Sequence, residues 1–189
     1  MNPQIIQDEQ PRLKNIYLFV GRSGSGKTTI TDALWKRFGW KPLWSYTDRP
    51  RRTPNEQYHE FLTPAEFDKL EGIMGYTEFD NHRYCATSAQ LDRSDMYVID
   101  PAGVVFLKEH YHGSRKIVTI GIGVSRENLA RRMSARGESS VNIEARMRND
   151  DEMFQRMNEC CDVIFDNNGD LEQTIAEIAD FIEKKEEYT

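Results

Sequence analysis

The residues with the clearest chemical meaning are Gly21-Arg22-Ser23-Gly24-Ser25-Gly26-Lys27-Thr28. They satisfy the pattern G-x-x-x-x-G-K-[ST], whose chemistry is the cradling of phosphates. Gly24 and Gly26 let the backbone curl without Cβ clashes, so that successive N–H groups point inward at one anion. Lys27 is placed to bridge terminal phosphates, and the Thr28 hydroxyl to meet Mg²⁺. Residues 21, 23–26, 28 and Thr29 therefore form the expected ATP-binding set, with Lys27 also catalytic. A chance match in a Gly/Ser-rich turn would not need a strand before it and a helix after it, and both are predicted here.

A second kind of chemistry comes from arginine. Phosphoryl transfer between two nucleotides gathers several negative charges, and planar guanidinium groups meet them better than ammonium groups do. Arg49, Arg51 and Arg52 fall together, and Arg132, Arg136 and Arg146 form a second group. Arg136 and Arg146 are placed to stabilise charge on a transferring phosphoryl. Arg126, Arg131, Arg132 and Arg148 read mostly as a solvated helical face. Asp100 reads either as a group facing metal or substrate or as a cap on the following turn. His110 and His112 have no metal-ligand spacing around them.

The elements that must position these groups follow from periodicity. Apolar runs at 15–20, 96–99, 116–124 and 162–165 are continuous rather than alternating, as in parallel strands covered on both faces. Helical spacing appears at 28–38, with Ile30, Ala33, Leu34 and Phe38 on one face, and at 171–184. Between the strands lie a polar segment, 46–90, and a charged helical one, 125–151, broken at Arg136-Gly137-Glu138. The first carries its own short helix at 64–70, with Thr63 as N-cap. The expected fold is α/β: a P-loop NTPase three-layer arrangement with a central parallel sheet and two inserted lobes. As one domain it divides into a core (14–45, 91–125, 149–189) and inserts at 46–90 and 126–148.

At 189 residues, 30% charged and 38% hydrophobic, with net charge −6, the composition is that of a water-soluble globular chain. The acidic balance argues against nucleic acid or an anionic membrane as partner. No run approaches the roughly 20 apolar residues of a membrane span. The polar first ten residues carry no secretory signal. Cys85, Cys160 and Cys161 form neither a disulfide framework nor a CxxC pair, which suits a reducing, cytoplasmic setting.

Further motifs carry a family resemblance. Ser45-Tyr46-Thr47-Asp48-Arg49-Pro50-Arg51-Arg52 resembles the S-x-T-T-R-x-P-R segment of guanylate kinases. Arg83-Tyr84-Cys85-Ala86-Thr87 resembles their Y-Y-G-[ST]-[ST], and Ile99-Asp100-Pro101-Ala102-Gly103 their I-D-x-Q-G. Residues 132–137 with 143–147 resemble the lid pattern R-L-x-x-R-G…I-x-x-R-L, and 163–171 resemble V-I-x-N-x-x-L. These matches run in family order across roughly residues 16–182. The resemblance implies a P-loop NTPase fold with inserted NMP-binding and lid lobes, the NMP-binding insert at 46–90 and the lid at 126–148.

The resemblance implies that Arg49, Arg52 and Tyr84 hold the acceptor phosphate, and that Ser45 faces its base. Thr87 and Asp100 join the acceptor set, as does either Tyr58 or His59. Asn168 lies near the adenine. The family's guanine-reading glutamate falls on Gly75, with Glu78 the nearest acid. Asp48 replaces a threonine beside the phosphate site and calls for an arginine partner. The implied reaction is Mg²⁺-dependent transfer from ATP to a nucleoside monophosphate, GMP or dGMP first, by a monomer or homodimer.

Three alternatives stay open. One is another acceptor, such as dTMP or a modified deoxynucleotide. Another is a catalytically inactive guanylate-kinase-like module that binds protein. The third is a GTPase, suggested by Asp100-Pro101-Ala102-Gly103 but lacking N-K-x-D.

Overall fold

The computed structural model describes residues 12–51, 54, 56–79, 81–155 and 157–189. The chain runs β1 (Asn15–Val20), α1 (Lys27–Phe38), β2 (Pro42–Leu43), β3 (Tyr46–Thr47), β4 (Glu60–Phe61), α2 (Pro64–Phe67), β5 (Ile73–Phe79) and β6 (His82–Thr87). It continues α3 (Ser88–Asp92), β7 (Met96–Val98), α4 (Pro101–His110), β8 (Lys116–Gly123), α5 (Arg126–Ala135) and α6 (Ser140–Met153). The last elements are α7 (Met157–Cys160), β9 (Val163–Asp166) and α8 (Leu171–Glu187).

Strands β2, β7, β1, β8 and β9 form one sheet in that order, and every pairing in it is parallel. The predicted central parallel sheet is thus the observed one. All six residues of β1 are buried. Successive side chains alternate between faces, so Tyr17 and Phe19 join one apolar cluster with Ile30 and Leu34 of α1 and Ile175, Ile178 and Ile182 of α8. Ile16, Leu18 and Val20 join the other, with Leu43, Ile99, Val104, Leu107 and Phe154. Two covered faces explain why this strand reads as an unbroken apolar run. Each such side chain contributes roughly 1.5–3 kcal/mol by leaving water.

A second sheet, β4-β3-β6-β5, arises from the polar segment. Its β3–β4 pair is parallel, and its β3–β6 and β5–β6 pairs are antiparallel. The short strands β3 and β4, and helix α4, have no counterpart in the periodicity. Helix α2 ends at Phe67 rather than 70, and Thr63 caps it in a reciprocal box with Glu66. The charged segment divides into α5 and α6 at the predicted break, where Gly137 takes φ 84°. Leu129, Met133, Ile143 and Met147 form a separate small core beneath those two helices.

No described helix is long and apolar enough to cross a membrane. The three cysteines are free, Cys85 buried and the adjacent pair half-buried, as packing residues would be.

Candidate functional site

The fully buried central strand β1 delivers the chain at Gly21 to the carboxyl end of the parallel sheet, and α1 departs at Lys27. Between them Gly24 and Gly26 take φ of 79° and 97°, values that disfavour any side chain. A Cβ on Gly26 would stand 2.8 Å from the Asn167 amide nitrogen. Ser25 is buried, and its carbonyl accepts hydrogen bonds from Asn167 Nδ2 at 2.8 Å and Arg132 Nη1 at 3.4 Å. Arg132 also donates to the Asn167 carbonyl at 2.6 Å. The loop is thereby propped from behind by β9–α8 and by α5.

The Lys27 ammonium lies folded along the loop, donating to the carbonyls of Gly21 and Arg22. Burial lowers its pKa from 10.5 to about 8; the nearby Asp150 charge opposes that shift, and Arg136 adds to it. Thr28 and Thr29 are exposed on the first turn of α1.

An open cavity of about 250 Å³ begins at Gly21, Ser23 and Lys27. Its other walls are Ser45, His59, Gly75, Thr77 and Tyr84 from the second sheet, Tyr97 to Asp100 at the end of β7, and Asp150, Met153 and Phe154 of α6. Asp100 caps α4 by accepting from the Gly103 N–H at 2.8 Å and also lines this cavity. Ser45 Oγ sits 3.0 Å from His59 Nδ1. His59 lines the main cavity and also a smaller one of about 130 Å³ beneath Trp35 and Trp44. Tyr58 lines the smaller one, whose walls also include Thr28.

Arg49 is 7% exposed, and all three of its side-chain nitrogens are hydrogen-bonded. Its Nε donates to the Tyr84 hydroxyl at 3.1 Å, and Nη2 and Nη1 reach Glu56 at 2.6 and 3.3 Å. Asp48 has the arginine it needs: Arg83 Nε is 2.6 Å away and the Arg83 N–H is 2.8 Å away. These bonds hold the Asp48 carboxyl below the usual range against its own burial. The acid next to Arg49 in sequence is thus paired with Arg83. Arg52 lies outside the described residues.

Several expected residues sit elsewhere. Glu78 is exposed and bonded to the Tyr76 hydroxyl, on the strand face opposite Gly75 and Thr77, so it does not reach the cavity. Strand alternation across an irregular stretch between Met74 and Thr77 puts Thr77 there instead. Thr87 is spent as the N-cap of α3, bonded reciprocally with Gln90. Asn168 ties the Ser125 N–H and Asn128 at 2.8 and 2.9 Å, while its neighbour Asn167 touches the phosphate loop. Arg132, read as a solvated face, is half-buried and supports the loop. Arg136 is exposed at the end of α5, and Arg146 pairs with Glu138 at 3.1 Å outside the cavity lining.

Asp150 is the residue that sequence reasoning missed. Its Oδ2 accepts from the Ser23 N–H at 2.6 Å. Asp151 beside it bridges Arg22 of the loop and Arg126 of α5. Nothing in the sequence separates this acid from its neighbours on an acid-rich helix end.

Among the described residues no group of three or more His, Cys, Asp or Glu side chains could hold a metal ion. A site of the P-loop kind does not require one, because Mg²⁺ keeps mostly phosphate and water ligands. The exposed Thr28 hydroxyl next to Lys27 fits that donor set.

No protein-family model and no curated protein matches the chain. Among solved structures, the guanylate kinase of Anaplasma phagocytophilum superposes with TM-score 0.65 at 18% identity, covering 93% of this chain and 88% of that one. An uncharacterized protein from Eubacterium ventriosum superposes with TM-score 0.50 at 13% identity, covering 90% and 99%. At such identities the likeness is one of fold: the chain carries a divergent guanylate-kinase-like fold.

Proposed function

We propose that this protein transfers the terminal phosphoryl of ATP to a nucleoside monophosphate. The observation that carries the reading is a G-x-x-x-x-G-K-T loop with two left-handed glycines that opens into the same cavity as Tyr84, Ser45 and Asp100. A phosphate-binding loop that shares one cavity with these residues suits a donor and an acceptor held side by side.

In this reading an acceptor phosphate oxygen attacks the terminal phosphorus of ATP, and ADP leaves. The loop N–H groups and Lys27 hold the donor phosphates. Arg49 exchanges Glu56 for the acceptor phosphate and keeps Tyr84 beside it. Arg136 and Arg146, on the helices across the cleft, are assigned to the charge that develops during transfer. Mg²⁺ arriving with ATP would be held by its phosphates and the Thr28 hydroxyl, and would supply charge neutralisation. We assign residues 46–90 and 126–148 to lobes that close over the core and exclude water.

GMP and dGMP are the first acceptors by resemblance. A second reading, another base such as thymine, is favoured by Glu78 pointing away from the cavity. The test is a coupled ADP-release assay with ATP and Mg²⁺ against a panel of ribo- and deoxynucleoside monophosphates. Acceptor-dependent ADP that disappears in Lys27→Ala is the expected result. Folded, ATP-binding protein that releases none with any acceptor would leave a binding module instead.

A further inference from the structure

The phosphate loop already holds an anion, and that anion belongs to the chain. Asp150 is 9% exposed, near the end of α6, with Oδ2 2.6 Å from the Ser23 N–H and Oδ1 3.5 Å from the Ser23 hydroxyl. Burying a carboxylate costs several kcal/mol unless donors replace its water. A loop built to present N–H groups to an anion, with an ammonium close by, provides such donors. The charge of this carboxylate also acts on the Lys27 ammonium, against the lowering that burial imposes. Asp150 also lines the cavity together with Ser23, Lys27, Tyr84 and Asp100, so it lies on the acceptor side of the loop. On that side the donor must present its terminal phosphate, because that is the group to be passed across.

The acceptor side is arranged alike. The buried Arg49 guanidinium is held by the Glu56 carboxylate through two hydrogen bonds. Beside Asp150, Asp151 joins Arg22 of the loop to Arg126 of α5 at the same point. Both helices of the charged segment are therefore fastened to the phosphate loop through acids at the end of α6.

We propose that Asp150 is an internal stand-in for the terminal phosphate of the donor, so that a nucleoside triphosphate must displace it and thereby release α6 from the loop. Donor binding and movement of α6 become one event. A nucleoside diphosphate, lacking the terminal phosphate, leaves Asp150 in place. The residue thus tunes the balance between triphosphate and diphosphate affinity. This inference rests on the donor-site reading above.

The experiment is calorimetric titration of the full chain with β,γ-imido-ATP and with ADP, for the unsubstituted protein, Asp150→Asn, Asp151→Asn and Lys27→Ala. Asp150→Asn keeps the side-chain shape and removes the competing charge. It is expected to tighten β,γ-imido-ATP at least about tenfold, the scale of one hydrogen bond to a charged group, and to change ADP less than about twofold. Asp151→Asn, with the competing carboxylate still in place, is expected to favour neither nucleotide over the other. Unchanged or weakened β,γ-imido-ATP binding in Asp150→Asn, beside Lys27→Ala that has lost it, would overturn this inference alone. Absence of nucleotide binding in the unsubstituted protein would remove the donor-site reading and this inference together.

Discussion

Lys27 lies along the carbonyls of Gly21 and Arg22, and burial lowers its pKa to about 8. Because the folded value lies below the unfolded one, the protonated side chain opposes folding below pH 8, and that cost fades as pH rises toward 10.5. A bound triphosphate adds negative charge beside the ammonium and raises its pKa again. Binding then takes up a proton between about pH 8 and 10.5, and ATP affinity falls across that window by up to about tenfold per pH unit. Calorimetry at pH 9 in two buffers of different ionisation enthalpy should show this uptake, and buffer-independent heats would contradict it. Arg49 makes a separate prediction at the same scale. Removing it in Arg49→Ala takes a donor from Tyr84 and from Glu56 and removes the bidentate phosphate partner. The acceptor KM should rise about tenfold or more while kcat falls, and Arg49→Lys should recover only part, because an ammonium cannot repeat the fork. An unchanged KM would return Arg49 to a purely structural role.

The loop between β1 and α1 makes its own demand, and Gly26 bears it. With φ at 97° and a Cβ position 2.8 Å from Asn167 Nδ2, Gly26→Ala must strain the backbone and push away the amide that holds the Ser25 carbonyl. Roughly 1–2 kcal/mol of strain and about 1 kcal/mol of lost hydrogen bond are expected in urea unfolding, together with weaker ATP binding. Gly169→Ala, where a Cβ would meet nothing within 4 Å, should leave both unchanged. This loop and strands β1, β7, β8 and β9 were legible in the sequence because each is a contiguous signal: a spaced glycine motif, or an apolar run buried on both faces. The second sheet was not legible. Strands β3 and β4 are two residues each, too short to show a period of two, and the pairing of β5 is irregular between Met74 and Thr77. Alternation from Gly75 brings Thr77, and not Glu78, to the cavity. Helix α4 begins Pro-Ala-Gly, a turn-like opening, and its mostly apolar character shows little face. Asp150 and Arg132 acquire meaning only when α5 and α6 fold back on a loop more than 100 residues earlier in the chain.

At the scale of the whole molecule, the apolar core and the candidate site are joined by different forces. Strand β1 and its neighbours are locked between two large apolar clusters. Helices α5 and α6 pack on a small cluster of their own, and Val124 packs against both it and the first large one. Phe154, the C-cap of α6, anchors that helix end in the second large cluster, and the remaining ties to the core are polar and converge on the phosphate loop: Asp150 to Ser23, Asp151 to Arg22, and Arg132 to Ser25 and Asn167. Polar ties at a ligand site can be exchanged for bonds to the ligand at little net cost, whereas the apolar clusters cannot be opened without exposing them to water. Ligand-induced ordering should therefore fall on 126–153 and on the insert 46–90, and spare the sheet. Helix α6 carries this response past residue 148, because it runs to Met153 with Asp150 inside it. Hydrogen exchange followed by mass spectrometry tests this with β,γ-imido-ATP and the best acceptor of the panel added together. Slowed exchange in those two segments, with β1 and β8 unchanged, is the expected result. Protection spread evenly over the sheet would mean that ligands stabilise the fold as a unit, without closing separate lobes over a fixed core.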